Sequence, residues 1–176
     1  MKELESLDRR IKTRWRSFEL RPEPIPTLDP DGEYLVSAWK NHVYPLAAKM
    51  ELNLHRPPIQ PRSRLAHEAA KWAESLGRFE EYNVALFRAF FEHGKDIGDI
   101  EVLKRLASDL KLDAKALQIS LNNGDYTAGV LADKLEARKI GVRAVPAFTA
   151  NGKLLAAGVQ SAERLHQLLS CEYQTS

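Results

Sequence analysis

The chain has 176 residues, 44% of them hydrophobic and 28% charged, and a formal net charge of +2. That is the composition of one globular domain with a sizeable core and room for an inserted subdomain. The near balance of charge argues against a dedicated nucleic-acid binder, and no apolar run approaches the roughly 20 residues that a membrane span needs.

In chain order, the opening MKELESLDRRI spaces Leu4, Leu7 and Ile11 as on a helix, with no capping residue ahead of it. It reads as the end of a helix whose beginning lies upstream. It is charged and has no apolar stretch, so it does not read as a signal peptide. IKTRWRSFEL then alternates, with Ile11, Thr13 and Trp15 on one face and Lys12, Arg14 and Arg16 on the other. The alternation predicts a half-exposed strand whose basic face suits a sheet edge. Pro22, Pro24, Pro26 and Pro30 follow and exclude helix or central strand, so this stretch reads as a rigid linker.

Residues 33–139 read helical almost throughout, with a break or kink at Pro45 and a loop at HRPPIQPRS. Ser63 is placed to cap the next helix, whose stripe is Leu65, Ala69, Trp72 and Leu76, and Gly77 ends it. Phe79, Tyr82, Leu86, Phe87, Phe90 and Phe91 surround much of the following helix, which predicts deep burial. Asp99 and Asp113 are candidate caps for two more helices, and YTAGVLADKLEARKIG closes the block near Gly141. A strand, a tight turn at Asn151-Gly152, a second strand and a helix capped by Ser161 complete the chain.

Residues that could carry chemistry are few. His42, His55, His67, His93 and His166 are scattered, with no pair at metal-ligand spacing on one helix. Glu80, Glu81, Glu92, Asp96 and Asp99 sit at solvated-face spacing, and no pair stands out as acid and base. Neither a metal nor a cofactor is called for. Cys171 is the single cysteine. It cannot form an internal disulfide, which points to the cytoplasm, and it reads as an incidental terminal thiol.

The order of elements carries a resemblance. GVRAVPAFTANGKLLAAGVQSAERLHQLL, residues 141–169, resembles the closing β-β-α half of a DsbA-type thioredoxin fold, with its proline loop at Val145-Pro146. NLHRPPIQPRSRLAHEAAKWAESLG, ALFRAFFEHGKDIGDIEVLKRLA and WRSFELRPEP are similar to the FrnE-like branch of that oxidoreductase family. The resemblance spans about residues 11–169. It implies an α/β fold: an incomplete thioredoxin-like domain at 1–32 and 140–170, a helical subdomain inserted at 33–139, and a tail at 171–176.

In that family a first strand runs into Cys-x-x-Cys at a helix N-terminus, and here that segment would fall upstream of residue 1. The family's reaction needs a thiolate that attacks a substrate disulfide and a second thiol that resolves the mixed disulfide. The resemblance implies a separate role for the proline loop, in which the proline is cis and the backbone before it pairs with an extended substrate peptide. It therefore implies substrate binding at Ala144, Val145 and Pro146 and no catalytic residue in the chain as written; the charge balance and the lack of a long apolar run are what point to no nucleic-acid or membrane partner. Two other readings stay open: a non-catalytic peptide- or partner-binding thioredoxin-fold protein, and a relative of the glutathione-dependent isomerases and kappa-class transferases. In the family's strand order the TRWRSF and PAFTA strands flank the absent one. The sequence expectation is that a homodimer or a sideways shift of TRWRSF onto PAFTA closes the gap.

Overall fold

Both aspartates read as caps do cap. Asp99 accepts from the Glu101 amide, and Asp113 from the Lys115 and Ala116 amides, at the starts of α6 (Ile100–Asp109) and α7 (Ala114–Asn123). The computed structural model describes residues 1–174, which pack as two units. One unit is residues 21–130; the other joins residues 1–20 to the chain from 131 onward. The fold is α/β and dominated by helices, with a small two-stranded sheet, consistent with a thioredoxin-like fold carrying helical insertions.

The unit at 21–130 is helical. Its proline-rich entrance is pinned by arginines: Arg62 donates to the carbonyls of Arg21 at 2.7 Å and Ile25 at 2.6 Å, and Arg56 donates to the carbonyl of Pro30 and to Asp31. Between α2 (Glu33–Ala38) and α3 (Tyr44–Lys49) the chain widens into a π-turn over Trp39–Val43. Pro45 has no N–H and would crowd the Asn41 carbonyl in a regular helix, so the wider turn ahead of it absorbs the misfit. Trp39 is buried there, edge-on to Tyr44 at 5.3 Å.

The core of this unit lies among α4 (Arg64–Ser75), α5 (Phe79–Phe91), α6 and α7. Ala66, Ala69, Ala70 and Ala73 keep one face of α4 flat, and with Trp72 of the same helix they cluster with Tyr82, Leu86, Leu103, Leu117 and Leu121. Burial of each large apolar side chain contributes about 1.5–3 kcal/mol. Ser63 stands at the start of α4, but its side chain makes no capping bond. Its backbone, at φ −90° and ψ 2°, is not in the extended conformation from which a cap reaches the next amides. The deep burial expected for all of α5 also fails at Phe87, which is 48% exposed. Tyr82, Leu86 and Ala89 make the buried stripe, and Phe87 falls one position outside it.

The other unit holds α1 (Lys2–Leu7), the end of α8 (Thr127–Lys139), β1 (Ala147–Ala150), β2 (Lys153–Ala157) and α9 (Ala162–Gln174). Asn151 and Gly152 both take positive φ, 50° and 73°, and so make the tight turn that joins the antiparallel strands. Ala147 pairs with Ala157 and Ala150 with Lys153, with an irregularity between Phe148 and Thr149. The Ser161 hydroxyl accepts from the Arg164 amide at 3.2 Å, and α9 then runs on to Gln174. Leu4, Val142 and Leu165 are buried.

The strand expected at IKTRWRSFEL does not form. Among the described residues the sheet consists of β1 and β2 alone, so TRWRSF has not shifted onto PAFTA. An extended segment without a ladder must meet its polar groups elsewhere. Here the Thr13 amide and hydroxyl both donate to Glu5, at 2.8 and 2.5 Å, and the Ser17 amide donates to Asp133 at 3.0 Å.

Candidate functional site

The loop at residues 143–146 is held at both ends. On its N-terminal side, α8 is closed by three backbone bonds: Ile140 to Glu136 at 3.1 Å, Gly141 to Arg138 at 3.0 Å and Val142 to Ala137 at 2.8 Å. Val142 is 6% exposed and anchors the entry. On the far side the Gly158 amide donates to the Pro146 carbonyl at 2.8 Å, tying the loop to the end of β2. Between these ties Arg143, Ala144, Val145 and Pro146 are all exposed, and the Val145–Pro146 bond is cis. Among the described residues no backbone hydrogen bond engages Ala144 or Val145. The backbone polar groups of these two residues are therefore open to water, on a segment whose ends are fixed.

Along the chain, the charged residues nearest this loop have one sign. Residues 137–162 contain Arg138, Lys139, Arg143 and Lys153 and no carboxylate. Lys153 bonds Glu172 on α9 at 2.7 Å. Cys171, next to it, is exposed. Elsewhere in this unit Asp8 is drawn down to about 2 by hydrogen bonds from the Arg10 side chain and amide, and it lies 3.9 Å from His166 Nε2. Among the described residues no group of three or more His, Cys, Asp or Glu side chains could hold a metal ion, and no helix is long and apolar enough to cross a membrane.

One residue that organises this unit was missed in the sequence. Asp133 is buried on α8, where its carboxylate receives the Arg16 guanidinium at 2.8 Å and the Ser17 amide at 3.0 Å. A signal was present. Asp133 falls three positions after Val130 and four before Ala137, on the apolar side of the helix, and a charge there calls for a partner.

Residues 1–170 match the DSBA-like thioredoxin domain. The chain belongs to that family. It is 33% identical over 122 residues to YwbO, an uncharacterized protein of Bacillus subtilis; the match covers 66% of this chain and 60% of that one. The chain thus spans less than two thirds of the length of the curated relative it matches. Its fold is similar to the crystal structure of a probable DsbA oxidoreductase from Streptomyces coelicolor, with a TM-score of 0.75, 22% identity, and 99% and 82% of the two chains covered. It is also similar to a Nitrosomonas europaea protein provisionally assigned as a protein disulfide isomerase, with a TM-score of 0.66, 18% identity, and 85% and 78% covered. Within the family the chain is a thiol-disulfide oxidoreductase homologue with one cysteine and no Cys-x-x-Cys.

Family membership corrects the cytoplasmic expectation. DsbA-family oxidoreductases are typically periplasmic or secreted. A single cysteine was a poor guide to compartment, because disulfide chemistry in this family is carried by a motif that the chain does not contain.

Proposed function

We propose that this chain belongs to the FrnE-like branch of the DsbA family and docks an extended peptide at Ala144, Val145 and Pro146 without redox turnover of its own. The observation that carries the docking reading is the loop: fixed at Val142 and Pro146, exposed between them, with the backbone of Ala144 and Val145 unengaged. Open backbone N–H and C=O groups on a fixed segment are what strand addition by a peptide requires. Two of the segments that suggest the branch, residues 53–77 and 85–107, pack against each other within the helical unit. The His55 amide bonds the Phe91 carbonyl at 2.8 Å, and Gly94 and Gly98 lie so close to Pro58 and to the Arg62 carbonyl that a Cβ would meet them at 2.8 and 2.9 Å.

The missing dithiol sets the chemistry. One thiol can form a mixed disulfide, but it cannot resolve it and leave as an intramolecular disulfide. Binding is then the activity that these 176 residues can supply. The test is a titration of the ¹⁵N-labelled chain with an unstructured peptide, followed by amide shifts. The largest saturable shifts are expected at Ala144 and Val145. Saturation with shifts confined to other segments overturns the docking reading.

A further inference from the structure

The peptide-docking reading leaves open which peptides the loop would take, and the charge around it bears on that question. Arg138 and Lys139 close α8, and Arg143 stands directly before Ala144; all three are exposed. Among the described residues none of the three has an ion-pair partner, whereas Lys153, the remaining cation of the carboxylate-free stretch 137–162, is paired with Glu172. The carbonyls of the last helical turn do not oppose an anion here, since those of Glu136, Ala137 and Arg138 are occupied by the Ile140, Val142 and Gly141 amides. Exposed cations held within a few residues of an open backbone edge attract and retain anionic side chains on whatever lies along that edge.

We infer that the loop selects acidic peptides: an extended segment that pairs with the backbone of Ala144 and Val145 and carries Asp or Glu within reach of Arg143, Arg138 and Lys139. This deepens the docking reading and depends on it. Arg143 is the specificity-determining residue, because it adjoins the docking backbone, and the two α8 cations add to it. Each exposed pair changes affinity by about twofold, so the three together give on the order of tenfold at low salt. Ionic strength weakens the preference, since the Debye length falls from ~30 Å at 0.01 M to ~10 Å at 0.1 M.

The test uses the full chain and two fluorescein-labelled peptides of one sequence, one bearing three glutamates and the other glutamines in their place. Anisotropy is read at 0.02 M and 0.3 M salt. The acidic peptide is expected to bind about tenfold more tightly at low salt, with amide shifts at Ala144 and Val145. The advantage should shrink to about twofold at high salt and in the triple variant R138Q/K139Q/R143Q. Equal binding of both peptides with those shifts overturns the acidic preference and leaves the docking reading standing. Binding of neither peptide overturns both. Competition by a single-stranded oligonucleotide at equal charge as effective as that by the acidic peptide would make the site a general polyanion surface and overturn the peptide selectivity. All three replacements are of exposed side chains, and unchanged far-ultraviolet circular dichroism confirms that the variant is folded.

Discussion

The buried carboxylate of Asp133 accepts the backbone amide of Ser17 at 3.0 Å, joining residues 116 positions apart. The same carboxylate takes the Arg16 guanidinium, whose side chain is 54% exposed while that of Asp133 is 3% exposed. The two partners are therefore unequal. Replacing Asp133 with alanine leaves a buried amide without an acceptor, which costs about 1–3 kcal/mol. Replacing Arg16 with alanine leaves the buried carboxylate without its counter-charge, which costs at least about 1–3 kcal/mol. Urea denaturation should show Arg16→Ala at least as destabilised as Asp133→Ala; a near-neutral Arg16→Ala would show that the Ser17 amide alone satisfies the carboxylate.

That contact also marks the limit of what the sequence made legible. The helix caps at Asp99 and Asp113 and the Asn151-Gly152 turn are local: a side chain or a φ angle serves atoms within three residues of itself, and all three are legible in the sequence. The alternation in IKTRWRSFEL predicts a strand, but a period of two shows only that two faces differ. Whether a ladder forms depends on a neighbour far along the chain, and the residue that meets this segment is Asp133, on a helix. Phe87 departs from expectation for a related reason. Its type suggests burial, while its position one step off the Tyr82–Leu86–Ala89 stripe decides otherwise. At the loop, Ala144, Val145 and Pro146 can be picked out by resemblance, but no local pattern shows that their backbone is open while Gly158 closes the far end.

Tyr82 gives a pH dependence. It is fully buried, and its hydroxyl donates to the Leu103 carbonyl at 2.9 Å. Burial disfavours the phenolate and raises its pKa well above the ordinary 10.0. The unfolded chain then loses this proton at a lower pH than the folded one. Stability is fully present below about pH 10 and falls as pH rises beyond it. Tyr82→Phe should lower stability at neutral pH by about 1 kcal/mol, through the lost hydrogen bond, and should flatten the decline between about pH 10 and 11. An alkaline decline identical in both proteins would assign it to other groups.

Thr127 supports a buried carboxylate in the helical unit. Glu68 is 3% exposed, and the Thr127 hydroxyl donates to it at 2.8 Å. Valine has nearly the shape of threonine but cannot donate, so Thr127→Val should cost about 1–3 kcal/mol by leaving the carboxylate short of a partner. Thr127→Ser keeps the donor and should cost less than half as much. Thermal unfolding of the three proteins gives the order; a serine variant as weak as the valine one would place the effect in the lost methyl group instead of the hydrogen bond.

The last prediction concerns turnover. Catalysed reduction of a protein disulfide begins when a thiolate attacks one sulfur, forming a mixed disulfide and releasing the other sulfur as a thiol. The cycle closes only when a second thiol displaces the substrate and the resulting disulfide is reduced again. The 176 residues contain Cys171 and no other cysteine, and Cys171 is exposed on α9. Any mixed disulfide at Cys171 must wait for an external thiol, which could equally well have attacked the substrate directly. In an insulin-reduction assay with dithiothreitol, the chain should therefore give the rate of dithiothreitol alone, and Cys171→Ser should change nothing. An acceleration that grows with protein concentration and persists in Cys171→Ser would mean that the chain promotes disulfide exchange without a thiol of its own, and the assignment of pure binding to this polypeptide would fall.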